Sequence, residues 1–175
     1  DEAYGDFCDD PHRGQIVHND LGKQIVITRT LSKSYSLAGI RMGFSIAHPD
    51  LTRGMRKVKD SYNCNALSLA AGIAALDDQQ WMQDNVDRIR QTRSRLIASL
   101  RELGFDVVES QSNFVWTTRA AGGHHELYEE LKRRWILVRY MQFSGVKTDA
   151  DEVFDGLRIT VGTDSEIDQF LDVVR

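Results

Sequence analysis

The sequence has few of the features that mark disulfide scaffolds, metal sites and membrane-spanning segments. Among its 175 residues are two cysteines, Cys8 and Cys64, which lack the spacing typical of a metal site. We therefore expect reduced thiols rather than a disulfide. No apolar run approaches the ~20 residues that cross a bilayer. The uncharged stretch 66–76 is much shorter than that, and it predicts a buried helix.

Charge and composition are those of a soluble globular protein. Lys and Arg number 22 against 26 Asp and Glu, and the net charge of −4 argues against nucleic acid as a partner. Hydrophobic residues make up 41% and charged residues 27%, which is an ordinary balance. No internal repeat, low-complexity segment or signal-peptide pattern is visible. We expect a cytoplasmic protein whose partners include neither membrane nor nucleic acid.

The first part of the chain reads as short strands and helices around a polar turn. Residues 24–28 form a β-branched run that predicts a buried strand, and residues 43–47 predict another. The first strand would deliver residues 30–33 to the carboxyl end of a sheet, where ligand sites of α/β proteins lie. Residues 51–60 predict a polar helix.

A long helix divides this part from a different pattern. Asp77 or Asp78 would cap it, it would run to about Leu103, and Gly104 would follow in the left-handed conformation. Beyond it the order is β-β-α-β-β-α, which predicts an α+β domain. The predicted elements are strands 105–109 and 114–118, helix 124–135, strands 136–140 and 157–161, and a last helix capped by Ser165. Residues 144–155 predict a polar loop.

The groups that could carry chemistry cluster in the first 41 residues. Asp1 and Tyr4 form an acid–tyrosine pair, residues 30–33 read Thr-Leu-Ser-Lys, and Arg41 lies eight residues after the lysine. A pyridoxal phosphate (PLP) site needs an amine for the Schiff base, a carboxylate for the ring nitrogen and a phenol for the ring oxygen. It also needs hydroxyls and a guanidinium for the phosphate, and this segment contains each group.

Two motifs carry a resemblance to a known family. Residues 30–43, Thr-Leu-Ser-Lys-Ser-Tyr-Ser-Leu-Ala-Gly-Ile-Arg-Met-Gly, resemble the lysine segment of fold-type I PLP-dependent aminotransferases, and most closely that of the histidinol-phosphate aminotransferase family. Residues 157–163, Leu-Arg-Ile-Thr-Val-Gly-Thr, are similar to that family's second signature. The resemblance extends over the whole chain.

The resemblance implies an α/β fold, the carboxyl-terminal part of a fold-type I PLP-dependent transferase. Residues 1–76 would be a remnant of the large PLP-binding α/β domain, 77–103 a bridging long helix, and 104–175 the small α+β domain. Members of the family are about twice this length. We therefore expect a carboxyl-terminal fragment of a longer protein that is inactive alone.

The resemblance also assigns the cofactor-binding residues. Lys33 would form the Schiff base with PLP and, once released, move the proton between the substrate's α-carbon and the cofactor. Asp1 would face the pyridine nitrogen, and Tyr4 would donate to the cofactor's O3′. The competing interpretations are a solvated lysine, a frayed terminal aspartate and an ordinary half-buried tyrosine.

Thr30, Ser32 and Arg41 would bind the cofactor phosphate, since a guanidinium matches phosphate oxygens in two-pronged fashion. For Arg41 a surface salt bridge is the alternative. Its position before an apolar strand is costly for an unpaired charge.

Three residues of the second half are candidates for binding substrate. Arg158 is a charge inside an apolar strand and needs a partner, which the resemblance identifies as the substrate's α-carboxylate. Arg139 is a similar case, and the resemblance places it near the substrate's distal phosphate. Asn113 matches a position that lines the active site. A structural ion pair for Arg158 and a turn-forming role for Asn113 are the alternatives.

The implied reaction moves an amino group between L-histidinol phosphate and 2-oxoglutarate in a homodimeric enzyme of histidine biosynthesis. A non-enzymatic aminotransferase-like module, such as that of a transcription regulator, and a PLP-dependent decarboxylase or lyase of the same fold are the alternatives. No metal site is expected, because His124 and His125 lack spaced partners and read as a solvated helix cap.

Overall fold

A computed structural model describes residues 1–10, 20–147 and 153–175. The chain divides into two compact units, Asp1–Asp87 and Arg88–Arg175. Both units contain helices and strands, as the predicted fold class requires. Within the described ranges, no helix is long and apolar enough to cross a membrane, and Cys8 and Cys64 form no disulfide.

The first unit is built on a two-stranded antiparallel sheet. Strand β1 (Val26–Thr30) pairs with β2 (Gly43–Ala47), with Val26 opposite Ala47 and Thr30 opposite Gly43. Strand β2 has the predicted bounds, whereas β1 begins and ends two residues later than predicted. The other elements are 3₁₀ turns at Gly5–Phe7, Asp20–Gln24 and Ala38–Ile40, helix α1 (Pro49–Val58) and helix α2 (Ala66–Asp77).

Local hydrogen bonds explain where these two helices begin. Pro49 occupies the first turn of α1, and the His48 ring accepts from the Asp50 amide at 3.3 Å. This cap starts α1 two residues before its predicted position. Asn65 caps α2 by accepting from the Ser68 amide at 2.8 Å.

The expectation that α2 is a buried helix is wrong for the described chain. Only Ser68 and Gly72 are buried along it, whereas Leu67 is 83% and Ile73 62% exposed. Nothing described covers this face of the helix. Its small residues instead permit one close approach, because a Cβ at Gly72 would lie 2.5 Å from the Met42 sulfur.

The second unit contains the predicted β-β-α-β-β-α order. Helix α3 (Gln79–Glu102) enters it across the unit boundary, and Gly104 follows with a left-handed φ of +80°. The four-stranded sheet is antiparallel, in the order β3-β4-β6-β5. Its elements are β3 (Asp106–Val107), β4 (Phe114–Thr118), α4 (His124–Arg133), β5 (Arg139–Lys147), β6 (Val153–Thr160) and α5 (Asp164–Val174).

The core of this unit lies between one face of the sheet and the helices. Leu96 and Leu100 of α3 are fully buried, as their helical spacing predicts, together with Val115 and Leu157 of adjacent strands. Thr163, rather than the predicted Ser165, caps α5 through a capping box with Glu166.

Several predicted boundaries differ from those of the structure because of local geometry and cross-strand packing. Trp135 adopts a left-handed φ of 61°, so α4 stops before it and β5 begins at Arg139 rather than at residue 136. The predicted loop 144–155 is wrong at both ends, because β5 runs to Lys147 and β6 starts at Val153. The paired rings of Phe143 and Phe154 (5.8 Å) support this longer ladder. Residues 148–152 of the predicted loop lie outside the described residues.

Candidate active site

The acid motif is held against strand β1. The Glu2 amide donates to the Thr28 carbonyl at 2.9 Å. The Asp1 carboxylate accepts from the Thr28 hydroxyl at 3.2 Å and from the Ala3 amide at 3.0 Å. Asp1 is exposed, and its carboxylate accepts two of these three hydrogen bonds. Its role at the pyridine nitrogen stays a prediction.

Lys33 and Tyr4 face each other at the end of β1. The Lys33 ammonium lies 5.3 Å from the centroid of the Tyr4 ring, within cation–π distance, and both residues are half-buried. The turn that carries Lys33 is closed by hydrogen bonds from Ser36 to the Lys33 carbonyl and from Leu37 to the Leu31 carbonyl, both 3.0 Å. Leu31 anchors the turn, since it is only 1% exposed.

The predicted phosphate ligands lie on the same turn and on the approach to β2. The Thr30 hydroxyl accepts from the Ser32 amide at 3.1 Å and donates to the Met42 carbonyl at 3.3 Å. Thr30 therefore shapes the turn, and the half-buried Ser32 follows it.

Arg41 combines exposure with an unusual backbone. Its φ of 53° lies in the left-handed region, which residues other than glycine rarely adopt and which often marks functional sites. Arg41 is exposed, so water reduces the cost of its charge before strand β2. Its guanidinium donates to the Ala38 carbonyl at 2.9 Å rather than to a carboxylate, and a guanidinium carries five N–H donors. The remaining donors can bind an anion.

In the second unit, Arg139 and Arg158 lie directly opposite each other. They are paired residues of β5 and β6, and Trp116 of β4 is paired with Arg158 on its other side. Directly opposed side chains share one face of a sheet, and like charges opposed in this way repel each other. Neither arginine makes an ion pair within the described ranges. An anion bound at this face would relieve the repulsion.

Arg158 is also desolvated without full compensation. Its guanidinium carbon stacks 4.1 Å from the centroid of the Phe114 ring. Its Nε atom is buried and has no hydrogen-bond partner in the described part of the chain. A buried donor left without a partner costs about 1–3 kcal/mol. The alternative of a structural ion pair for Arg158 is therefore not supported.

Asn113 lies in the turn that precedes β4 and is half-buried. Its backbone carbonyl accepts from the Val161 amide at 2.9 Å, which joins the start of β4 to the end of β6. This contact involves its main chain, so a binding role for its side chain stays a prediction.

A buried polar network that was not predicted surrounds His124, which is 5% exposed and not the predicted solvated cap. The ring Nε2 accepts from the Arg119 amide at 2.9 Å, so Nδ1 carries the proton and donates to Asp155 at 2.7 Å. Tyr140 donates to the other Asp155 oxygen at 2.8 Å. The partners are 31 residues apart in sequence, and no local pattern indicated them.

The network predicts that acid destabilises the second unit. Burial raises the pKa of Asp155, but hydrogen bonds from Tyr140 and His124 outweigh it and hold this pKa below its ordinary value. A lowered folded-state pKa contributes stability above the unfolded pKa of ~3.9 and loses it as pH falls through the folded value. We expect urea midpoints that fall below pH ~4, with a shallower fall for Asp155→Asn. The exposed Asp172→Asn is the control, and equal slopes in all three proteins would contradict the assignment.

The comparisons with known proteins identify the family of the chain. Residues 1–174 match the family model "Aminotransferase class I and II". With a lysine turn, an acid–tyrosine segment and an arginine strand in the places described above, the chain belongs to the aminotransferase class I and II family.

Curated relatives of the chain carry a more specific name than the family model does. The chain is 48% identical over 168 residues to the histidinol-phosphate aminotransferase of Rhodopirellula baltica, covering 96% of this chain and 44% of that protein. It is 46% identical over 171 residues to that of Synechocystis, covering 98% of this chain and 46% of that protein. The chain thus spans about half the length of the curated relatives it matches.

Solved structures show the same fold. The histidinol-phosphate aminotransferase of Clostridium acetobutylicum has a TM-score of 0.82 at 24% identity, with 99% of this chain and 51% of that chain covered. That of Sinorhizobium meliloti, solved in complex with pyridoxal-5′-phosphate, has a TM-score of 0.77 at 24% identity, with 99% and 47% covered. The L-threonine-O-3-phosphate decarboxylase of Porphyromonas gingivalis has the same fold at 21% identity and a TM-score of 0.77, with 99% and 52% covered.

Proposed function

We propose that the protein carrying this chain is a PLP-dependent aminotransferase that moves an amino group between L-histidinol phosphate and 2-oxoglutarate. The observation that carries the proposal is the Lys33 ammonium over the Tyr4 ring, on a turn shared with Thr30 and Ser32. The similar relatives named histidinol-phosphate aminotransferase support the substrate. This chain spans about half the length of those relatives, so the activity is proposed for the whole protein.

The residues present fit the cofactor. When bound, PLP supplies an electron sink for cleavage of the bond between the substrate's α-carbon and its hydrogen. Asp1 is a carboxylate fixed by the Thr28 hydroxyl, suited to keep a proton on a pyridine nitrogen. The donors that Arg41 does not use on Ala38 are suited to phosphate. Contacts within the chain orient both residues without the ligand: the Thr28 hydroxyl holds Asp1, and the Ala38 carbonyl holds Arg41.

Lys33 and Tyr4 would control the proton that moves between the substrate's α-carbon and the cofactor. The Lys33 amine would hold the cofactor and, when free, would move a proton at Nζ to and from the substrate. The Tyr4 hydroxyl would donate to the cofactor's O3′. The Tyr4 ring also restricts the path of Nζ, since the Lys33 Nζ atom lies over the ring, 5.3 Å from its centroid.

Arg158 and Arg139 would hold the substrate's anionic groups. We assign the α-carboxylate of glutamate to Arg158 and the distal phosphate of histidinol phosphate to Arg139, with Asn113 beside them. The unpartnered Nε and the opposed charges support this assignment. Guanidinium donors match carboxylate and phosphate geometry equally well, so one arginine face can accept both substrates in turn.

We also propose that the whole protein is a cytoplasmic homodimer that acts in histidine biosynthesis. The apolar face of α2 supports burial of this helix in the whole protein, because Leu67 and Ile73 are exposed here. Light scattering on the full-length protein should give twice the monomer mass. A monomer would contradict the dimer.

The function is tested by supplying the full-length protein with L-histidinol phosphate, 2-oxoglutarate and PLP. We expect glutamate to form only when both substrates are present, above the background of free PLP. In a parallel assay with L-threonine-O-3-phosphate and PLP, release of CO2 would instead favour the decarboxylase alternative. Absence of any bound cofactor would favour the non-enzymatic alternative.

A further inference from the structure

One guanidinium ties the acid motif to strand β1. Arg29 donates through Nε and Nη2 to the Glu2 carboxylate at 3.0 and 2.7 Å, and through Nη1 to the Asp6 carboxylate at 2.7 Å. The three side chains are 14%, 22% and 21% exposed, so the cluster is largely removed from water. Gly5 packs beside it, since a Cβ there would lie 3.4 Å from the Arg29 guanidinium carbon.

The same cluster continues to the lysine turn. The second oxygen of Asp6 accepts from the Ser34 hydroxyl at 2.5 Å. Ser34 is 1% exposed, and its carbonyl accepts from the Asn85 side chain at 3.2 Å. A continuous chain of hydrogen bonds thus runs from Glu2 through Arg29 and Asp6 to Ser34.

Each member of this chain is a neighbour of a predicted cofactor ligand. Glu2 follows Asp1, Asp6 lies two residues after Tyr4, and Ser34 follows Lys33. Building on the proposed function, we propose that Arg29 is a positioning residue that fixes Asp1 and Tyr4 against Lys33. The acid motif and the lysine turn are 27 or more residues apart in sequence, and this cluster sets their distance.

The geometry explains why arginine is needed. Its planar fork reaches two carboxylates at once with fixed directions, whereas a lysine ammonium is a single point charge on a flexible stem. Without Arg29, the carboxylates of Glu2 and Asp6 would repel each other in a partly desolvated place. The acid segment would then move away from β1, and a displacement of about 1 Å can cost about a hundredfold in catalysis.

The test compares variants of the full-length protein by the dissociation constant for PLP, by the fraction of bound PLP that borohydride attaches to Lys33, and by the thermal midpoint without PLP. Ser34→Ala and Arg29→Lys accompany Arg29→Ala, because they alter the cluster with less risk to folding. The matched control is Arg95→Ala. Arg95 also bridges two carboxylates, those of Asp164 and Asp168, but contacts no predicted site residue.

We expect Arg29→Ala to weaken PLP binding at least ~tenfold and to lower the attached fraction, with Arg29→Lys and Ser34→Ala intermediate, since each keeps part of the cluster. Arg95→Ala should bind PLP within about twofold of the parent protein, since its ion pairs are exposed. If all three cluster variants had a lower thermal midpoint but bound PLP as the parent protein does, the positioning role would be wrong. The proposed function would be unaffected by that result. Failure of the parent protein to attach PLP would overturn the proposed function and this inference with it.

Discussion

Lys33→Ala in the full-length protein should abolish covalent retention of PLP and lower amino transfer by more than about a hundredfold, the lower range for loss of a general acid–base group. The reason is the position of the Lys33 amine over Tyr4, at the end of the strand that also carries Thr30. The measurements are cofactor content after borohydride reduction and denaturation, and the single-turnover rate with L-histidinol phosphate.

The control for this variant is Lys57→Ala, which removes an exposed lysine of helix α1. It should retain both the bound cofactor and the transfer rate. If Lys33→Ala kept a full complement of covalent cofactor, another lysine would have to be the attachment site and the assignment would be wrong.

Arg158→Ala should lower kcat/KM at least about a hundredfold while the dissociation constant for PLP stays unchanged. Loss of one partner of a buried arginine–carboxylate pair costs about 3–5 kcal/mol, and each 1.4 kcal/mol is a factor of about ten. The effect should appear with 2-oxoglutarate and with glutamate, whose carboxylate is assigned to Arg158. Steady-state kinetics with each substrate in turn, beside PLP titrations, provide the measurement.

The thermal midpoint separates this role from a structural one. Arg158 faces Arg139 across the strands and has a buried Nε without a partner, so its removal relieves repulsion and should lower the midpoint little. Arg101→Ala, which breaks an exposed pair with Glu109, is the control for kinetics. A large fall in thermal midpoint together with weakened PLP binding would assign Arg158 to the fold instead.

Much of the fold could be predicted because it depends on local patterns. The bounds of β2 and β4 agree with the predicted strands 43–47 and 114–118. The course of α3 follows from helical spacing and from Gly104. The order of elements in the second unit follows in the same way. The exposure of α2 could not be predicted, because its apolar composition does not tell which part of a protein covers it.

In the candidate site too, residues in local motifs could be predicted, whereas contacts between distant segments could not. Motif resemblance predicted Lys33, Asp1 and Tyr4. The structure brings Lys33 and Tyr4 together and holds Asp1 against Thr28 of β1. The motif resemblance gave no indication of Arg29, whose contact with Glu2 spans 27 residues of sequence. The opposition of Arg139 and Arg158 depends on strand register, and a register is not visible in either segment alone.

His124 shows the same limit for a buried polar group. Two histidines at a helix start are typical of a solvated cap, but His124 pairs with a carboxylate of β6. Long-range hydrogen bonds decide such positions, since burial of a polar group depends on whether a partner exists.

The central claim is that Lys33 holds the cofactor, and peptide mapping tests it most directly. The full-length protein, incubated with PLP and reduced with borohydride, is digested and analysed by mass spectrometry. This segment also contains Lys23, Lys57, Lys59, Lys132 and Lys147, so the mapping discriminates between several candidates. The adduct should lie on the peptide that contains Lys33; an adduct on another lysine, or none at all, would contradict the account.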